Sequence, residues 1–129
     1  MVSGNKSQIT ILACASAAGN TIPPFVIFDW KNLNQELTTG EIPGTMYGLS
    51  LGSGWIDTEL FRDWFDWHFL QYAPAGCPLL LLDGHSTHYQ PEVVCLAASK
   101  GVIMFVLLPH TTHVAQPLNV TCFHSLKTY

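Results

Sequence analysis

The residues with most chemical reach gather in two short runs of this chain. Asp83-Gly84-His85-Ser86-Thr87-His88 brings a carboxylate, two imidazoles and two hydroxyls together, and Pro109-His110-Thr111-Thr112-His113 adds two more imidazoles. Asp83 follows the apolar stretch Leu79 to Leu82 and precedes Gly84, where the backbone can turn sharply. An acid at a strand end is well placed to hold Mg2+ over a substrate phosphate. The same residue can equally cap a turn, and spacing alone leaves both roles open. Asp83 with the four histidines also suggests a zinc site built from two loops. No finger spacing and no His-Glu-x-x-His run accompanies them, so turn residues or substrate contacts are the better reading and zinc is not expected. Ser86, His88 and Asp83 do not read as a hydrolase triad. The serine lacks a nucleophile elbow, and three groups crowded into one turn do not readily reach triad geometry. Phosphate-binding and dinucleotide-binding glycine loops are absent from the sequence.

The elements that must position these runs can be read from pattern. Gln8 to Ala13 and Pro24 to Phe28 are β-prone stretches on either side of Ala17-Ala18-Gly19-Asn20, which predicts an antiparallel hairpin with Gly19 and Asn20 near its turn. Pro23 and Pro24 limit where ladder pairing begins, since neither has an amide hydrogen. Lys31 to Gly44 is polar and loop-like, and Thr45 to Leu49 can add a short strand. Asp57 to Tyr72 predicts a helix capped by Asp57, with Ile56 placed to staple onto Phe61. Leu60, Phe61, Trp64, Phe65, Trp67 and Tyr72 give it a broad aromatic face. Packing on a sheet explains that face better than base stacking, because no basic residues are interleaved with the rings. Leu79 to Leu82 and Val102 to Leu108 read as strands buried on both faces, since neither alternates in polarity. Between them Gln90 to Ser99 fits a helix with Pro91 at its first position and Gly101 past its end. The expected class is therefore α/β, a strand-helix-strand unit joined to a hairpin that makes the sheet mixed.

Composition narrows the function classes. A hydrophobic fraction of 48% over 129 residues supports a real core, and a charged fraction of 11% argues against disorder. The formal net charge is -4, with Lys6, Lys31, Arg62, Lys100 and Lys127 as the fixed cations. That is a poor electrostatic footprint for an autonomous nucleic-acid binder, so most of the grip on any DNA must come from elsewhere. Cys14, Cys77, Cys95 and Cys122 are widely separated, form no CxxC pair and read as buried thiols of an intracellular chain. The apolar runs are too short to span a bilayer, and no membrane partner is expected.

A resemblance becomes specific at this point. Leu80-Leu81-Leu82-Asp83-Gly84-His85-Ser86-Thr87-His88 resembles the second-acid block of the DDE superfamily endonuclease domain of pogo, Tigger and jerky-like transposases. The run from Leu107 through Pro109-His110-Thr111-Thr112-His113 to Gln116-Pro117-Leu118-Asn119-Val120 is similar to its third-acid block. Ala15 to Pro24, and Trp64-Phe65 through Phe69-Leu70, match it upstream. The resemblance covers nearly the whole chain. It implies a ribonuclease-H-like mixed sheet with flanking helices, in which three acids hold two divalent ions, Mg2+ or Mn2+, for DNA phosphodiester cleavage and strand transfer. Asp83 maps onto the second acid. His85, His88, His110 and His113 fall in the matched blocks as substrate-proximal residues.

Departures from the family pattern predict an impaired catalyst. Asn119 stands where family members carry Asp, and an amide keeps an oxygen but loses the charge that holds a hard cation. Glu92 is not an obvious replacement, and Asp29 reads as an exposed turn acid. The first acid is expected on a strand upstream of Met1, so the chain reads as a catalytic domain truncated at its N-terminus, spanning residues 1–129. The resemblance further implies DNA as partner and the nucleus as location. A noncatalytic interaction domain derived from a transposase, supported by a protein partner or by the missing N-terminal segment, is the rival reading.

Overall fold

β-Prone residues on both sides of Gly19-Asn20 fold as the expected hairpin. In the computed structural model, which describes residues 8–32, 38–40, 42–108 and 116–118, β1 (Ile9–Ala15) pairs antiparallel with β2 (Thr21–Phe28). Gly19 takes φ +87°, a left-handed conformation open to glycine at little cost, and its N–H donates to Ser16 O at 3.0 Å. The two prolines do not delay the strand, as the sequence suggested, but sit inside it. Leu12 faces Phe25 while Cys14 faces Ile22, so Pro23 and Pro24 together oppose Ala13 in a bulge. A bulge interrupts the ladder locally, so a residue without an amide hydrogen fits there. β3 (Met46–Leu49) pairs parallel to β2, giving a mixed three-stranded sheet of order β1-β2-β3.

Asp57 caps α1 (Thr58–Asp63), its carboxylate accepting from Leu60 N at 2.8 Å. Ile56 and Phe61, the expected staple pair, are both buried. Beyond Asp63 the helix is not the uniform α-helix that periodicity predicts. It widens to a π-helical segment over Trp64–Phe69 before α2 (Leu70–Tyr72). Phe61, Trp64, Phe65 and Phe69 are buried with ring centroids 5.3 to 5.6 Å apart, forming an aromatic core with Phe25, Ile27 and Phe28. Trp67 leaves the face the sequence assigned it and is 73% exposed; Tyr72 is exposed as well. The helix approaches the sheet at Gly48, where an added Cβ would lie 2.7 Å from the Phe25 ring and 3.0 Å from Leu60 Cδ2.

The chain divides into two compact units, Met1–Phe69 and Leu70–Tyr129. The second contains β4 (Leu79–Leu82), a 3-10 turn over Ser86–Tyr89, α3 (Pro91–Ser99) and β5 (Ile103–Val106). β4 and β5 pair in parallel, from Leu79 opposite Ile103 to Leu82 opposite Val106, as a strand-helix-strand unit requires. α3 begins at Pro91. It ends in a Schellman closure: Gly101 N donates to Ala98 O at 3.2 Å, Val102 N donates to Ala97 O at 2.9 Å, and Gly101 has φ +72°.

Burial in this unit corrects the sequence reading, beginning with Cys77 and Cys95, which are exposed where buried thiols are expected. Leu80 and Leu82 are buried with Val93, Ala97 and Val102, but Leu79, Leu81, Ile103 and Phe105 are exposed. Two-sided burial needs cover on two sides, and among the described residues α3 is the helix that follows β4 in this unit. The all-apolar run therefore alternates in burial without alternating in polarity.

Candidate functional site

Asp83 immediately follows β4, and the chain then folds back on itself through one 3-10 turn. His85 is the cap of that turn: its Nδ1 lies 2.8 Å from Thr87 Oγ1, and His88 N donates to His85 O at 3.0 Å. Gln90 Nε2 donates to Ser86 O at 3.0 Å and braces the turn where α3 begins. The result carries position 88 back onto position 83. His88 Nδ1 stands 2.7 Å from Asp83 Oδ1, and His85 N donates to the same oxygen at 3.3 Å. The His88 contact is short but bent away from the ring N–H direction, which makes it a close polar pair rather than an ideally aligned bond.

The two partners sit in different surroundings. His88 is buried, 5% exposed, whereas Asp83 is partly open to solvent. The His88 contact holds the Asp83 carboxyl below the usual carboxylate range; partial burial pushes the other way, and the His85 N–H again favours the charged form. The His85 and His88 rings lie 5.4 Å apart, centroid to centroid. Ser86 is exposed in the turn, where its backbone carbonyl accepts from Gln90 Nε2.

The structure thus brings together Asp83, His85 and His88. Asn119, His110 and His113 lie outside the described residues. Asp29 is a turn acid, as expected: its carboxylate accepts from Gly52 N at 2.6 Å and ties down the loop after β3. Glu92 is exposed in the first turn of α3. His68 had no part in the sequence argument. It is buried, and its Nε2 donates to Pro23 O at 2.6 Å, a carbonyl at the bulge. Nothing in local pattern points to that pairing, because it joins positions 45 residues apart.

A divalent cation is met only in part. Asp83 Oδ1 is engaged by His88 and His85, leaving Oδ2 with no hydrogen bond among the described residues, and a carboxylate oxygen is the ligand type Mg2+ and Mn2+ take. No group of three His, Cys, Asp or Glu side chains able to hold a metal occurs among the described residues. They supply one ligand, not a site. No cleavage step follows from these residues alone.

Comparison with known proteins agrees with the blocks around Asp83. The DDE superfamily endonuclease family matches residues 6–129. A protein named MFS-type transporter clz9 from Cochliobolus lunatus is 28% identical over 127 residues, covering 95% of this chain and 14% of its own length. Jerky protein from Mus musculus is 28% identical over 123 residues, covering 87% of this chain and 21% of its own length. The chain thus spans a small part of both relatives, and what it shares with them is this segment. No helix among the described residues is long and apolar enough to cross a membrane. No solved structure matches the chain. With a mixed α/β fold, ribonuclease-H-like as that endonuclease domain is, and a match over nearly its full length, the chain belongs to the DDE superfamily endonuclease family.

Proposed function

We propose that this chain is a transposase-derived nuclease core, of the lineage that cleaves DNA phosphodiesters with Mg2+ or Mn2+, and that it is impaired as a catalyst. The observation that carries this reading is Asp83 at the end of a parallel strand, one carboxylate oxygen held and the other without a hydrogen bond among the described residues, inside the block that matches the family. Asn119 supports the impairment, because the third position of the family's acid set has lost its charge. When bound, the cation would stabilise charge on the phosphate; Asp83 would be one of its ligands and Asn119 a weak one. His85, His88, His110 and His113 are proposed as substrate-proximal groups. DNA as partner and the nucleus as location follow the family. The low content of Lys and Arg means this segment contributes little of the affinity.

The test is nicking of supercoiled plasmid by the purified chain with Mg2+ or Mn2+, beside Asp83→Ala. The expected result is no nicking above the Asp83→Ala background. Metal-dependent nicking by the natural chain that disappears in Asp83→Ala overturns the impairment.

A second reading, a noncatalytic interaction domain derived from a transposase, is favoured by the exposed apolar side chains of β4 and β5: Leu79, Leu81, Ile103 and Phe105. Under it, Asp83→Ala changes neither DNA binding nor association with any protein.

A further inference from the structure

His88 does something more specific than line a substrate path. Its ring is buried, which is costly for an imidazole without polar contacts, and it lies beside the one acid at the end of β4. Three features fix it there. The 3-10 turn closes through His88 N to His85 O, the Gln90 side chain braces Ser86, and α3 starts at Pro91 and is anchored two residues later by the fully buried Val93. His85 has a separate task, since its Nδ1 is turned onto Thr87.

We propose that His88 is the positioning residue of Asp83: it pins Oδ1, with help from the His85 N–H, and so leaves Oδ2 as the oxygen presented to a ligand. This rests on the reading of Asp83 as a site carboxylate and adds to it a reason for the histidine five positions on. An unpinned aspartate at a strand end would move among staggered rotamers and share both oxygens with water. Pinning one oxygen selects one orientation before any ligand arrives, as outer partners do for carboxylate ligands generally. The depressed carboxyl of Asp83 fits the arrangement, because the pair favours the ionised form.

The experiment is NMR on the labelled 129-residue chain without metal, reading the Asp83 χ1 rotamer from three-bond couplings to Cγ. The natural chain should show one rotamer, His88→Phe should show averaging, and His88→Asn, which can place an amide nitrogen near the Nδ1 position, should recover one rotamer. Averaging in the natural chain, or one rotamer in a folded His88→Phe, overturns the proposal. Should His88→Phe lose its dispersed amide spectrum, Asp83→Asn decides: the His88 Nδ1 resonance shifts if the pair exists, and an unmoved resonance counts against it. A separate addition of MgCl2 to the natural chain reads the Asp83 Cγ shift. An ordered Asp83 that ignores Mg2+ sinks the ligand reading while the positioning stands.

Discussion

Asp83 stays ionised to lower pH than an ordinary aspartate, whose value is about 3.9, because His88 and the His85 N–H both favour the carboxylate. A depressed folded-state value stabilises the fold above the unfolded value, and that contribution is lost as pH falls through the folded one. The stability gap between the natural chain and Asp83→Asn, followed by urea unfolding in EDTA, should be level from pH 6 to 5 and close below about pH 3.9. A gap that widens with acid would contradict the assignment. At this scale the sequence was informative about identity and silent about geometry. Asp83 was marked by its place between an apolar strand and a glycine. That His88 folds back onto it while His85 turns to Thr87 depends on a single 3-10 turn, which residue spacing does not specify. The difference between the two Asp83 oxygens, one engaged and one without a hydrogen bond among the described residues, is likewise out of reach of the sequence.

Local chemistry marked the elements well where it acts within a few residues. The hairpin, the Asp57 cap, Pro91 at a helix start and Gly101 past its end were all readable, because turns and caps are short-range devices. The π-helical segment was not, nor was the proline bulge, whose Pro23 carbonyl is met by a histidine 45 residues away in sequence. Burial of β4 and β5 failed for another reason: polarity shows alternation only when one face carries polar residues, and Leu79 to Leu82 offers four leucines. Leu80→Ala should therefore cost about 2–5 kcal/mol while Leu81→Ala stays within about 0.5 kcal/mol, by chemical denaturation. Equal losses would restore the two-sided burial read from the sequence. Gly48 gives a sharper test of helix-on-sheet packing. An added methyl would lie 2.7 Å from the buried Phe25 ring, so Gly48→Ala should destabilise by about 1–3 kcal/mol. An unchanged unfolding midpoint would mean that the Phe25 ring is free to move.

Over the whole molecule, a mixed α/β fold and a family match across residues 6–129 agree with what the ordered blocks implied. The acidic balance and scarce cations leave this segment little electrostatic attraction for DNA phosphates. Among the described residues Asp83 Oδ2 makes no hydrogen bond and no three-ligand group occurs, and under the proposed reading Asn119 stands at the third-acid position. That reading implies weak cation binding that one substitution should strengthen. The most direct measurement is a Mn2+ titration followed by electron paramagnetic resonance, comparing the natural chain with Asn119→Asp and Asp83→Asn. The account predicts weak binding by the natural chain, affinity raised roughly tenfold or more in Asn119→Asp as ligand charge increases, and further loss in Asp83→Asn. Tight binding by the natural chain that neither substitution changes would contradict it.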